Sequence, residues 1–352
     1  MYPYIFFVLT IFLSVIFSIV RPFSCGKNEK ILLFILLSFV FFLFAFRYNV
    51  GADYIAYNRI YDSNNLIYIR SWELGFQKLF VNFQLLKIDF YLFSALVLLI
   101  NTMSLFFMLN KETKYIVLGA AIYLFSIDGF FSSISFYRQS ISVSIFMISM
   151  LFLFESKWKR YIILNSFGAM FHISNLVTLP ITIIKFVKID KLPILILAPI
   201  FSYLLGQSGV LKELIISILN LLGFYMEYIK TDAFSGEAGI GIGFLLQLFL
   251  FIVLVYFSDL NTKKQYRVLA LYSLYLCLSA ISINMLLFYR LAVVFSPIQA
   301  IAIPMLIKCS RIKQKKSLAI IVLLLYAVLF LRSFSSPIFI RDFTPFQFVE
   351  IL

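Results

Sequence analysis

Four short stretches of this chain carry most of the residues whose types and spacing can do chemistry. FRYNVGADYIAY (46–57) places Arg47, Gly51, Asp53, Tyr54 and Tyr57 close together, and SWELGFQKLF (71–80) adds Trp72 and Glu73. SSISFYRQSISVSIF (132–146) sets Arg138 and Gln139 among serines, and MFHIS (170–174) contains His172, the only histidine in the sequence. A guanidinium fork binds two phosphate oxygens at once, a carboxylate can take a proton from a hydroxyl, and an indole or phenol ring offers an apolar face to a sugar. Arg47, Arg138, His172 and Arg290 (in LLFYRLAVVFSP) are therefore candidate phosphate or diphosphate ligands. Asp53 or Glu73 is the candidate general base, and Tyr54, Tyr57, Trp72 and Gln139 are candidate sugar or acceptor contacts.

Each residue also has a structural reading. Long basic side chains snorkel to headgroups, serines line close helix interfaces, and a lone histidine can join two helices by a hydrogen bond. No metal site is expected, because one histidine without a cysteine cluster or spaced carboxylates makes no ordinary zinc centre. Cys25, Cys277 and Cys309 lack CxxC spacing and suggest no disulfide framework.

The elements that must hold these residues are membrane helices. Of 352 residues 62% are hydrophobic and 13% charged, with a mean hydropathy of +1.00, and the apolar runs are continuous rather than alternating. The sequence predicts an all-α, polytopic membrane protein of about 10–12 transmembrane helices, forming one integral-membrane domain over 1–352. The predicted spans are 1–20, 31–46, 90–109, 115–131, 136–154, 161–184, 192–208, 240–257, 267–288, 291–307 and 317–332.

Charge supplies the orientation. The formal net charge of +14 would suggest nucleic acid in a soluble protein, but it resides in the short connections 21–30, 110–114, 155–160, 185–191, 258–267 and 308–316, which read as cytoplasmic. Segments 47–89 and 209–239 then face outward, the first with interfacial helices and the second with an amphipathic helix followed by the glycine-bearing KTDAFSGEAGIGIG. One parity conflict remains: 155–160 and 185–191 both read as cytoplasmic although a single apolar run separates them. The conflict predicts a broken or re-entrant segment around Phe171–Pro180, or two short tilted spans, with His172 at the break.

In their order along the chain, FRYNVGADYIAYNRIY, WELGFQKL, ISFYRQSISVSI and MFHISNLVTLP resemble the motifs of the EpsG-like branch of the Wzy-type bacterial polysaccharide polymerases. Leu74 stands where that family often has proline. The resemblance implies the multi-span membrane glycosyltransferase fold and a metal-independent, cofactor-free enzyme of the bacterial cytoplasmic membrane. Its active site would face outward and join undecaprenyl-diphosphate-linked oligosaccharide units in exopolysaccharide, capsule or O-antigen synthesis. It carries Arg47, Asp53, Tyr57, Glu73, Arg138 and His172 as site residues, with Arg290 added from the family's usual late arginine. Membrane lipids and a separate chain-length regulator are further partners to consider, and nucleic acid is not. A lipid-linked oligosaccharide flippase, a membrane acyltransferase and a noncatalytic assembly subunit are the alternatives.

Overall fold

A computed structural model of the chain describes residues 2–20, 26–63, 69–185, 192–221 and 241–349. Apart from one ribbon of two-residue strands, the described residues form helices and their connections. The protein is a multi-pass, all-α membrane protein made of two compact units, Met1–Thr182 with Gln314–Leu352, and Ile183–Lys313.

The first unit contains α1 (Tyr2–Val20), α2 (Gly26–Ala45), β1 (Arg47–Tyr48), α3 (Tyr54–Ser63), α4 (Leu74–Leu85), α5 (Phe90–Glu112), α6 (Ile116–Phe125), α7 (Ser132–Ser135), α8 (Tyr137–Phe154) and α9 (Trp158–Ala169). A π-turn, Ile127–Phe131, joins α6 to α7, and a 3-10 segment begins at Ile173. The second unit holds α10 (Leu192–Gln207), α11 (Val210–Leu221), α12 (Ile242–Tyr256), α13 (Lys263–Ser282), α14 (Leu286–Phe295) and α15 (Gln299–Cys309). The chain returns to the first unit with α16 (Lys315–Ser333), α17 (Pro337–Phe343) and β2 (Gln347–Phe348).

Among the described residues six helices are long and apolar enough to cross a membrane, or seven if the pair bent by 69° at Ser126 counts as one span. This is fewer than the ten to twelve predicted. Helices α10 and α12 have 16 and 15 residues, about 24 and 22 Å long, short of the ~30 Å hydrocarbon core. The bend falls inside 115–131, which the sequence predicts as one uninterrupted span. Ser126 Oγ accepts from Gly129 N at 3.2 Å and starts the π-turn there. The predicted helices of 47–89 are present as α3 and α4, whereas the glycine-bearing stretch after α11 lies mostly in 222–240, outside the described residues.

Serines explain how α5, α6 and α8 pack. Asn101 Nδ2 donates to Ser133 and Ser144 at 3.2 and 3.3 Å, and Tyr123 OH donates to Asn101 Oδ1 at 3.1 Å. Ser94 and Tyr137 share a further bond. Within SSISFYRQSISVS, Ser133 and Ser144 are the hydroxyls that join helices, both through Asn101.

At one end of this unit Arg47 is 1% exposed. Its Nη1 donates to Phe44 O at 2.9 Å, Nη2 to Ile134 O at 2.9 Å and Nε to Val50 O at 3.2 Å. Phe44 and Ile134 lie in the last turns of α2 and α7, whose carbonyls lack intrahelical partners, so one cation caps two negative helix ends. Gly51 follows with φ +110°, and a Cβ there would stand 2.9 Å from Ile134 O. The C-terminal segment closes over this turn: Arg47 pairs with Phe348, and Gly51 N donates to Asp342 O at 2.7 Å.

The chain also reverses where the charge pattern required it. After α9 the backbone turns at Met170–His172, and the 3-10 segment runs back along α9. Tyr161 OH donates to Thr178 O at 2.7 Å, and Asn175 Nδ2 donates to Asn165 O at 2.9 Å. Asn165 in turn donates to Ser149 of α8 at 2.9 Å. The run 161–184 is thus a hairpin rather than one span.

Two outcomes are expected from this frame. Arg47→Met leaves three buried carbonyls without a donor, at about 1–3 kcal/mol each, and the purified protein should unfold at a markedly lower temperature; unchanged thermal unfolding would refute the capping role. A membrane-impermeant thiol reagent should label Ser156→Cys and Thr182→Cys from the same side of the membrane, and labelling from opposite sides would refute the hairpin.

Candidate functional site

Glu73 occupies the residue before α4 with an extended backbone (φ −63°, ψ 139°), and its side chain caps no amide of its own helix. The carboxylate therefore points elsewhere. Oε2 accepts from Arg138 Nη1 at 2.9 Å, and Oε1 lies 2.9 Å from His172 Nδ1 and accepts from Ile173 N at 3.1 Å. Arg138 stands in the first turn of α8, and its Nε donates to Tyr57 OH at 2.9 Å. Trp72 stacks on Tyr57 with centroids 5.1 Å apart, and the Arg138 guanidinium lies 5.9 Å from the Trp72 ring centroid.

Five of the ten residues singled out from the sequence, Tyr57, Trp72, Glu73, Arg138 and His172, meet here. Asp53 precedes α3 and is half-buried; its carbonyl accepts from Tyr57 N at 3.0 Å, the bond made by a helix-capping residue. Tyr54 is 2% exposed and packs edge-on against Phe90 in the aromatic core, while Gln139 is buried on α8. Neither presents its side chain to solvent. Arg47 is committed to its carbonyls as described, and Arg290 is exposed on α14 in the second unit.

Sequence reasoning missed Gly75 and Met170. Gly75 N donates to Met170 O at 2.8 Å, so the head of α4 binds the hairpin tip through its free amides. A Cβ on Gly75 would come within 2.8 Å of that carbonyl. A glycine in the first turn of a helix was the available signal.

Burial pushes the Glu73 carboxyl up, but hydrogen bonds from His172 and backbone amides, with the Arg138 charge, outweigh it and hold the group at about 2 against an ordinary 4.5. Among the described residues Arg138 Nη2 has no hydrogen-bond partner, and its side chain is 26% exposed. The site thus offers an open guanidinium edge beside an ionised carboxylate and an oriented imidazole. Among the described residues no group of three or more His, Cys, Asp or Glu is placed to hold a metal ion.

The EpsG family model matches residues 30–348, and the chain belongs to the EpsG family. No curated protein and no solved structure matches it.

A carboxyl held low stabilises the fold above its unfolded value and loses that contribution as pH falls from about 4.5 towards 2. In a Trp158→Phe protein Trp72 is the sole tryptophan. Its emission is expected to stay constant from pH 8 to 5 and to shift only near the bottom of that acid window. A transition centred above pH 5 that Glu73→Gln abolishes would refute the low Glu73 value.

Proposed function

We propose that this chain polymerises undecaprenyl-diphosphate-linked oligosaccharide units by glycosyl transfer at the outer face of the cytoplasmic membrane, in the assembly of an exopolysaccharide, capsule or O-antigen. The reading rests on EpsG family membership, and one observation carries its chemistry: an arginine with an open edge is fixed beside a histidine by a shared carboxylate at one end of a membrane-helix unit.

In this reaction an acceptor sugar hydroxyl attacks the donor's anomeric carbon. A new C–O bond forms, and the old bond to the diphosphate breaks with its electron pair leaving on oxygen. Arg138 is assigned to that developing charge, where preorganised positive charge stabilises the transition state more than the ground state. Tyr57 and Trp72 hold the guanidinium at its Nε and its face. Glu73 ties it to the hairpin, and Arg47 acts from below by fixing the turn that starts this end of the chain. Asp53, at the head of α3, is assigned to the acceptor side.

Purified protein in vesicles with a lipid-linked repeat should give a ladder of products. Arg138→Gln should lower the rate by roughly 10²–10³-fold, and Arg138→Lys, which lacks the planar fork, should restore only part of it. Transbilayer movement of an unextended unit by the parent protein, with no ladder, would replace the polymerase reading with a flippase.

A further inference from the structure

Glu73 does more to His172 than anchor it. Its Oε1 is bonded to Nδ1, so with the carboxylate ionised the ring proton belongs on Nδ1 and the lone pair on Nε2. Among the described residues Nε2 has no hydrogen-bond partner, although the side chain is only 10% exposed. Imidazole oriented at one nitrogen by a half-buried carboxylate and without a partner at the other is the arrangement that makes histidine a base. Glu73 itself, held at about 2, is too weakly basic for that task at neutral pH.

The rest of the hairpin holds the ring in this pose. Ile173 N shares Oε1 with the imidazole, Met170 O is fixed by Gly75 N, and Asn175 ties the returning 3-10 segment to Asn165. Gly168 leaves the space that the Asn175 amide occupies, since a Cβ there would overlap it. The backbone on both sides of His172 is therefore clamped. A histidine serving only as a helix link needs neither this clamp nor an open second nitrogen.

We propose that His172 Nε2 is the general base of the transfer reaction and that Glu73 is its positioning residue. The inference rests on the polymerisation reading for its substrate. Nε2 takes the proton of the acceptor hydroxyl as that oxygen bonds to the anomeric carbon and the diphosphate departs with the electron pair of the broken bond. The resulting imidazolium is balanced by Glu73 and returns its proton to water after product leaves. The ionisable groups around the ring are Glu73 at the head of α4, Arg138 on α8 and, through Arg138, Tyr57 on α3.

A single histidine makes the test direct. Protein labelled with nitrogen-15 histidine and reconstituted in lipid gives the signals of one imidazole, and at pH 8 these are expected to report the neutral Nδ1–H form. Glu73→Gln, whose amide can donate to Nδ1, should move the ring towards Nε2–H. In the vesicle assay His172→Gln should lose roughly 10²–10⁴-fold in rate with membrane insertion unchanged. An Nε2–H or imidazolium ring at pH 8 in an active parent protein would overturn the dyad alone. So would a His172→Gln protein retaining a third or more of the rate, because glutamine can donate a hydrogen bond to phosphate but cannot act as a base. A parent with the expected tautomer and no polymer from its lipid-linked unit would instead overturn the polymerisation reading, and the base role with it.

Discussion

The Glu73 carboxylate is the interaction on which this end of the first unit depends. Its two oxygens receive a guanidinium from α8, an imidazole from the hairpin tip and the amide of Ile173. A charge that is half-buried is tolerable when each lone-pair direction has a donor. That need explains several local features together: the helix starts one residue after Glu73, its own cap is left unmade, and Gly75 lets the hairpin carbonyl close against the first turn. Losing the carboxylate would strand a cation and an imidazole in the same small volume.

Burial divides the labour between two arginines that look alike in the sequence. Arg47 is fully buried and meets three carbonyls, two of them at helix C-termini, so its charge stabilises the frame. Arg138 bonds through Nε and Nη1 and keeps an accessible edge. Elsewhere in the same unit, the hydroxyls of Ser133, Ser144 and Tyr123 join the helices through Asn101 in a buried polar network. Rigidity matters for a site that must meet charge as it develops, because reorganisation at that moment would forfeit the gain.

Much of this was legible in the sequence for identifiable reasons. Continuous apolar runs fixed the helical membrane class, and residue types at the head of α8 and in the WE and FH pairs marked the residues that gather around Glu73. The hairpin was legible through charge parity, because two basic connections cannot share a side across one span. Other features were not. Whether an arginine serves a ligand or a helix end depends on which carbonyls are left unpaired, and that is a property of packing. Tyr54 and Gln139 looked like acceptor contacts because their chemistry suits a sugar, yet the aromatic core claims the first and the interior of α8's packing the second. The bend at Ser126 depends on a hydroxyl meeting one amide, and the short helices α10 and α12 have the composition of a span without its length.

The most direct measurement is an experimental structure of the protein in lipid with its undecaprenyl-diphosphate-linked unit bound. The expected result is diphosphate oxygens within hydrogen-bonding distance of Arg138 and an acceptor hydroxyl approaching His172 Nε2, with Glu73 still bonded to the imidazole. A diphosphate held by other cations while Arg138, Glu73 and His172 remain paired only to one another would contradict the account.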